Sequence, residues 1–189
     1  SDLMEKEEAE RLEICREYAY QEMLKNIEED LEEFGIEFDN WFSERTLHPD
    51  KIQQAIELLR DKGYIFEKED ALWFKSTDFG DDKDRVIIKS DGSPTYLAAD
   101  MAYHLDKLER GFDKLINVWG ADHHGYIPRM KAVIEAFGYD KDILEVIVVQ
   151  MVTLLRNGKK VPMSKRAGSF VTMKEVNEEV GKDAARYYY

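Results

Sequence analysis

The sequence has little of what several classes of function require. Its 189 residues include a single cysteine, Cys15, which excludes an internal disulfide and any Cys-x-x-Cys metal site. Only four histidines occur, and no Ser-His-Asp or Cys-His combination indicates an enzyme with a protein nucleophile. No apolar stretch is long enough to cross a membrane and no signal peptide is recognisable, so we expect a cytoplasmic protein with no membrane partner.

The net charge of −13 is distributed unevenly along the chain. Residues 1–40 hold fifteen acidic and four basic side chains, a net charge of −11. From Gln150 onward there are eight basic and four acidic side chains, a net charge of +4. We expect a solvated acidic helix in the first part and a basic last part that faces phosphate groups.

The densest positive charge lies at residues 156–166, which include five basic residues and no acidic one. The end of this stretch has the sequence Pro-Met-Ser-Lys-Arg-Ala-Gly, starting at Pro162. A positive loop that contains serine and glycine is typical of a phosphate site, with Met163, Ser164 and Lys165 as the candidate residues. The alternative is a basic hairpin tip that contacts only solvent.

A second candidate segment covers residues 119–126, with the sequence Trp-Gly-Ala-Asp-His-His-Gly-Tyr. It follows an apolar run at 115–118 and precedes a helical pattern that stops at Gly138, which predicts a buried strand, a loop and a helix. Doubly wound parallel sheets bind nucleotides at the carboxyl ends of such strands. Gly120 permits a ligand to approach the backbone, and Asp122 is a candidate acceptor for ribose hydroxyls.

The adjacent histidines His123 and His124 leave two interpretations open. They are either loop imidazoles without a ligand or part of a metal site, because Asp-His-His also occurs in manganese-dependent phosphoesterases. Adjacent strand side chains point to opposite faces, and the further Asp and His ligands of a two-metal site are not evident. We therefore predict no protein metal site.

Tyr96 and Asp100 are the candidate pair for binding a cation. An Asp-Gly turn precedes them, and apolar spacing from Leu97 predicts a helix that ends near Gly111. Four residues apart, the two side chains share a face of the first helical turn. A carboxylate accepts two parallel donors from a guanidinium, and a tyrosine packs against the planar cation. The alternative is an aspartate favoured by the helix dipole beside a half-buried tyrosine.

Together these segments resemble the catalytic domain of the arginyl-tRNA synthetases, a family of class I aminoacyl-tRNA synthetases. The resemblance covers residues 34–189 and depends on the order and spacing of the motifs. The Met-Ser-Lys core is similar to the second signature loop of the class, whose second lysine stabilises the ATP triphosphate, and Lys165 is the matching residue. The motifs lie at residues 34–41, 80–86, 96–104, 119–126, 163–168 and 181–187.

The resemblance implies a two-step reaction in translation. L-Arginine reacts with ATP to give arginyl-adenylate and pyrophosphate, and the arginyl group then passes to tRNA(Arg). Such catalysis consists of positioning and electrostatic stabilisation, with Mg²⁺ as the counter-charge to the phosphates. The resemblance assigns arginine binding to Tyr96, Asp100 and His123, ATP binding to Gly120, Asp122, Met163, Ser164 and Lys165, and catalysis to Lys165.

The sequence departs from the family pattern in two places. Pro162 replaces the first lysine of the signature loop, so Lys165 acts alone or with Lys159 and Lys160. The family's His-x-Gly-His signature is absent, and the chain starts downstream of its expected position and ends near the start of the anticodon-binding domain. We expect a catalytic-domain fragment that does not activate arginine at a useful rate by itself. The alternative is a non-catalytic synthetase-like module that binds tRNA or a protein.

The expected fold class is α/β. The resemblance implies a partial Rossmann-like parallel sheet with flanking helices and a small α/β insertion. Residues 1–189 would form a partial class I catalytic domain. Within it, residues 36–85 would be the insertion and residues 86–189 the C-terminal half of the nucleotide-binding fold.

Local patterns predict the individual elements. An apolar stripe from Leu12 to Phe34, followed by Gly35, predicts a helix that packs on the sheet and buries Cys15. Partial exposure of this stripe would favour a non-native dimer of the fragment. Further predictions are a helix at 49–62, strands at 63–66, 71–74, 86–89 and 146–150, an Asn-Gly hairpin within 154–161, and a capping box from Thr172 to Glu175.

Overall fold

The computed structural model describes residues 3–161 and 170–188. The chain divides into two compact units. One unit is formed by Ser1–Trp41 together with Val152–Tyr189, and the other is formed by Phe42–Met151. Within the described ranges, no helix is both long and apolar enough to cross a lipid bilayer.

Helices and strands occur in both units. The α-helices are α1 (Glu8–Phe34), α2 (Asp50–Asp61), α3 (Tyr96–Glu109), α4 (Ile127–Phe137), α5 (Met173–Val180) and α6 (Lys182–Tyr188). The strands are β1 (Ile65–Lys68), β2 (Ala71–Phe74), β3 (Arg85–Ile88), β4 (Leu115–Gly120), β5 (Leu144–Val149), β6 (Leu155–Arg156) and β7 (Lys159–Lys160). Short 3-10 helices cover Leu3–Glu5, Glu44–Leu47, Ser76–Phe79, Ala121–Tyr126 and Lys141–Ile143.

The unit of residues 42–151 contains two sheets and three α-helices. Strands β1, β2 and β3 form an antiparallel sheet in that order, and β4 pairs in parallel with β5. The core is built from the inward faces of α2, α3 and α4, because their apolar positions recur with helical spacing. Its fully buried side chains include Ile56, Leu59, Phe74, Ile87, Met101, Met130 and Ile134.

The parallel pair β4–β5 confirms the two predicted strands, but the predicted burial is wrong. Leu115 and Leu144 are buried on one face, whereas Val118 is 65% exposed and Ile147 45% exposed on the other. In the described part of the chain, helices cover one face of this sheet only. Continuous apolar runs therefore do not correspond to burial on both sides here.

Helix α1 ends as predicted, and Gly35 terminates it in the left-handed conformation at φ 84°. The expectation that its stripe is buried is wrong, because Phe34 is the one buried residue of the helix. Cys15, expected to be a buried thiol, is exposed. Within its own unit α1 contacts α5 and α6, and Arg186 donates to the carbonyl oxygen of Phe34 at 2.8 Å.

The predicted hairpin and capping box are present in the same unit. Strands β6 and β7 are joined by Asn157 and Gly158, at φ 52° and φ 72°, as an Asn-Gly hairpin turn requires. Thr172 accepts from the backbone of Glu175, and the Glu175 side chain accepts from the backbone of Thr172. The hairpin turn and the capping box each depend on residues that are close together in the sequence, so both could be predicted from it.

Candidate active site

The first turn of α3 is anchored to β3 through Thr95. Its backbone N–H donates to the carbonyl oxygen of Ile87 at 2.9 Å, and its hydroxyl donates to the carbonyl oxygen of Val86 at 3.0 Å. These two bonds fix the point at which the helix begins. The backbone positions of Tyr96 and Asp100 in the first turn of α3 are therefore defined. Their spacing of four residues places both side chains on the same face of the helix.

A cavity of about 460 Å³ lies where the first turn of α3 meets the carboxyl end of β4. Helix α3 contributes two lining residues, β4 contributes one, and the 3-10 helix that follows β4 contributes two. Three aromatic rings, one imidazole and one carboxylate line it, which suits a planar cation. The lining residues are Tyr96, Asp100, Trp119, His123 and Tyr126.

The three residues predicted to bind arginine all border this cavity. Tyr96 and Asp100 come from α3, and His123 comes from the 3-10 helix. Tyr96 is 88% exposed, so its side chain lies at the open side of the cavity and not in the core. His124, the neighbour of His123, does not line the cavity.

Asp100 is a half-buried carboxylate whose charge is not neutralised by a cationic partner. Burial raises its pKa, and the negative charge of Glu44 raises it further. A hydrogen bond from the Tyr126 hydroxyl and the charge of Lys107 oppose this rise. Among the described residues, no lysine or arginine forms an ion pair with Asp100. The carboxylate is therefore suited to an incoming cation.

Two cavity residues have no role in the sequence-based predictions. Tyr126 donates from its hydroxyl to Oδ2 of Asp100 at 2.9 Å, and Trp119 packs edge-on against Tyr126 with ring centroids 5.8 Å apart. Trp119 and Tyr126 both belong to the motif at 119–126, but the hydrogen bond from Tyr126 is to Asp100, which lies 26 positions earlier in the chain. No periodic pattern could have revealed it.

A buried polar network lies on the core side of α3. His104 Nδ1 is 2.8 Å from the carbonyl oxygen of Asp100, and His104 Nε2 is 2.9 Å from Asn117 Nδ2. Lys107 donates to Asn117 Oδ1 at 3.3 Å, which orients the Asn117 amide group. Burial lowers the pKa of His104 to about 4, with the charge of Lys107 in the same direction. His104 is therefore neutral and ties the Asp100 turn to β4.

Gly120 and Asp122, the two residues predicted to hold the ribose, lie close together at the end of β4. A Cβ atom on Gly120 would lie 2.6 Å from Asp122 Oδ1, so a side chain at this position would displace the carboxylate from where it lies. The Asp122 carboxylate is 70% exposed, with His123 Nε2 at 3.6 Å from its Oδ2. An exposed carboxylate over a glycine at a strand end provides acceptors for vicinal hydroxyl groups.

The chain matches the family model "tRNA synthetases class I (R), catalytic domain" over residues 4–187. The chain belongs to this family.

Relatives of this class I synthetase catalytic domain are curated arginine–tRNA ligases. Those of Bacillus licheniformis and Bacillus subtilis are 61% and 59% identical over 184 residues, which is 97% of the chain in each case. The chain spans about a third of the length of these relatives, since it covers 33% of each.

Two solved structures are also similar to this synthetase domain. A Campylobacter jejuni protein described as an arginyl-tRNA synthetase matches 96% of the chain with a TM-score of 0.87 and 46% identity, over 39% of its own length. Thermus thermophilus arginyl-tRNA synthetase matches 97% of the chain with a TM-score of 0.67 and 18% identity, over 42% of its length. The second match shows the fold alone, and both agree with the expected Rossmann-like α/β class.

Some predicted site residues of this synthetase domain lie outside the described ranges. They are Met163, Ser164 and Lys165, together with Pro162. The hairpin before them is described, and its Arg156 forms an ion pair with Glu179 of α5. Across the residues that are described, no group of three or more His, Cys, Asp or Glu side chains is arranged to hold a metal ion.

Proposed function

We propose that this chain is the arginine-recognising part of an arginine–tRNA ligase. The observation that carries the proposal is the Asp100 carboxylate, which is half-buried and has no cationic partner among the described residues. It borders a cavity with the exposed ring of Tyr96. A guanidinium offers parallel N–H donors to such a carboxylate and a flat face to such a ring. His123 supplies a further polar group at the same cavity.

The ATP substrate would lie at the end of β4. Gly120 has no side chain to compete for the space beside Asp122, and the exposed Asp122 carboxylate would accept hydrogen bonds from the ribose hydroxyls. Met163, Ser164 and Lys165 would contact the adenine and phosphates. Mg²⁺ would enter with ATP and supply positive charge to the phosphates.

In the whole protein, arginine would be joined to ATP and then transferred to tRNA(Arg). The protein would act by holding the arginine carboxylate and the α-phosphate close together, and no side chain would form a covalent bond. The net charge of +4 from residue 150 onward, with eight basic and four acidic side chains, favours anionic partners such as the nucleotide and the acceptor end of the tRNA. A cytoplasmic location, where translation takes place, belongs to the same proposal.

Calorimetric titration of the chain with L-arginine, L-lysine and L-citrulline tests the arginine site. We expect selective binding of arginine, because citrulline has the same shape without the charge and lysine lacks the planar fork. Asp100→Asn should abolish this selectivity. Asp113→Asn removes an exposed carboxylate outside the cavity lining and should leave it unchanged. Equal binding of arginine and citrulline, or arginine binding that survives Asp100→Asn, would contradict the proposal.

Pyrophosphate exchange in the whole protein tests the role of Lys165. Lys165→Ala removes a positive charge that would stabilise the triphosphate in the transition state. The rate should fall by roughly two to three orders of magnitude, as for loss of one transition-state donor. Lys174→Ala, a lysine in the first turn of α5, is the control and should change the rate little. An unchanged rate in Lys165→Ala would remove the catalytic role assigned to Lys165.

A further inference from the structure

Asp100 has two carboxylate oxygens with different surroundings. Oδ2 accepts a hydrogen bond of 2.9 Å from the Tyr126 hydroxyl. Within the described residues, Oδ1 accepts no hydrogen bond, and it is not among the buried unpaired atoms. A carboxylate offers about four lone-pair positions, so a single donor from Tyr126 leaves both oxygens able to accept from a ligand.

The Tyr126 hydroxyl has a fixed direction because the ring is held on several sides. Trp119 packs edge-on against it, and the guanidinium of Arg129 lies 5.2 Å from the ring centroid. The ring also packs against the hydrophobic core of its unit. A tyrosine side chain has only two rotatable χ angles, so packing of the ring determines where the oxygen lies.

The hydroxyl remains a donor at neutral pH. Burial raises the pKa of Tyr126 well above its ordinary value, and the charge of Asp100 raises it further. The hydrogen bond in turn favours the ionised form of Asp100, against the opposing effect of burial. The charged or titratable groups around Asp100 are Tyr126 from the 3-10 helix after β4, Glu44 from the 3-10 helix before α2, and His104 and Lys107 from α3. Tyr96 and His123 line the same cavity as Asp100.

We propose that Tyr126 is a positioning residue for guanidinium recognition: its hydroxyl fixes the Asp100 carboxylate in the orientation that presents a two-oxygen acceptor to the cavity. This inference rests on the proposed arginine site and assigns its selectivity to a second residue. An ammonium group needs only one acceptor in any direction, whereas a guanidinium needs two oxygens in one plane. Fixing the plane of the carboxylate therefore favours arginine over lysine.

Tyr126→Phe removes the hydroxyl and retains the ring with its packing. Tyr139→Phe is the matched control, since Tyr139 follows α4 and lies outside the cavity lining. The first measurement is the pKa of Asp100 in the ligand-free chain, from the pH dependence of its carboxyl ¹³C resonance. The midpoint should rise in Tyr126→Phe, because a hydrogen bond to the ionised form is lost, and should stay unchanged in Tyr139→Phe.

The second measurement is calorimetric binding of arginine and lysine as a function of pH. In Tyr126→Phe we expect arginine affinity at neutral pH to fall about tenfold, the size of one hydrogen bond to a charged group. Lysine affinity should change less, and the loss of arginine binding on acidification should begin at a higher pH. If Tyr126 had only a structural role, Tyr126→Phe would lower the arginine and lysine affinities equally. The pH at which arginine binding is lost on acidification would then be the same as in the unsubstituted chain.

The two measurements separate the possible failures. An unchanged Asp100 midpoint, or equal loss of arginine and lysine affinity, would overturn the role of Tyr126. Failure of the unsubstituted chain to bind arginine would contradict the proposed function. In that case, a raised Asp100 midpoint in Tyr126→Phe would still support positioning of the carboxylate by Tyr126, and an unchanged midpoint would overturn it.

Discussion

The Asp100 carboxylate lies in an environment that favours its neutral form, so its charge at neutral pH opposes folding. Its pKa in the folded chain is raised, mainly by burial, above the value in the unfolded chain. The stabilising contribution of this group is therefore present at low pH and is lost as the pH rises through the raised pKa. Binding of a positively charged ligand beside Asp100 would restore the stability that is lost when the carboxylate ionises.

Asp100→Asn should accordingly stabilise the fold at pH 7 while it removes arginine binding. The amide keeps the shape and accepts the Tyr126 hydrogen bond, but it has no charge to desolvate. The thermal midpoint by circular dichroism should be higher than that of the unsubstituted chain at pH 7. Near pH 3, where both side chains are neutral, the difference should vanish. A lower thermal midpoint for Asp100→Asn at pH 7 would show that the ionised Asp100 carboxylate does not destabilise the fold.

At the scale of elements, the end of α4 is stabilised from another helix. Lys62, which follows α2, donates from its ammonium group to the carbonyl oxygens of Phe137 at 2.6 Å and Ala136 at 3.3 Å. These carbonyls lie in the last turn of α4, where backbone acceptors lack helical partners and the dipole favours a cation. Gly138 then terminates the helix at φ 99°.

Lys62→Met should lower the free energy of unfolding by about 1 kcal/mol, since it retains the apolar stem but removes both hydrogen bonds. Urea unfolding followed by circular dichroism measures this value. Lys51→Met is the control, because the side chain of Lys51 in α2 is 41% exposed and its ammonium group lies 3.8 Å from Asp106 and 3.6 Å from Glu109, and such long surface ion pairs contribute little. Equal losses in the two variants would show that the carbonyl contacts of Lys62 add nothing.

Elements with local signals could be predicted from the sequence. The ends of α1 and α4 follow from glycines that adopt the left-handed conformation, at Gly35 and Gly138. The exposure of Cys15 could not be predicted, because apolar periodicity indicates which side of a helix is apolar but not whether a partner covers it. Strand β4 was misjudged for the same reason, since Val118 is apolar and exposed.

In the candidate site too, contacts set by local spacing could be predicted and contacts set by packing could not. Tyr96 and Asp100 are four residues apart, so helical spacing alone places them together, and the family resemblance added His123. The contact of Tyr126 with Asp100 depends on how α3 packs beside β4, which no local pattern specifies. The role of Lys165 and the boundary between residues 36–85 and 86–189 stay predictions.

At the scale of the whole molecule, exposed apolar surface favours self-association. One face of the β4–β5 sheet presents Ile116, Val118, Ile147 and Val149, each between 43% and 65% exposed. Contiguous apolar side chains of this kind are unusual on a monomeric surface. The chain alone should therefore associate with itself as its concentration rises.

Sedimentation velocity over a range of concentrations tests this expectation. The double variant Val118→Thr with Ile147→Thr should remain monomeric at higher concentration, because threonine keeps the branched shape suited to a strand and makes the surface polar. Val180→Thr, at an exposed position in α5, is the control and should behave like the unsubstituted chain. A chain that is monomeric at every concentration would contradict the expectation.

The exposure of the single thiol has a practical consequence for handling the molecule. Cys15 lies on the surface of α1, and the chain has no second thiol. A maleimide dye would therefore attach once per molecule, at a known turn of α1, and would not modify the residues that line the cavity at Asp100. In air, oxidation to a disulfide can only join two molecules through their α1 helices, so storage under a reductant keeps the preparation uniform.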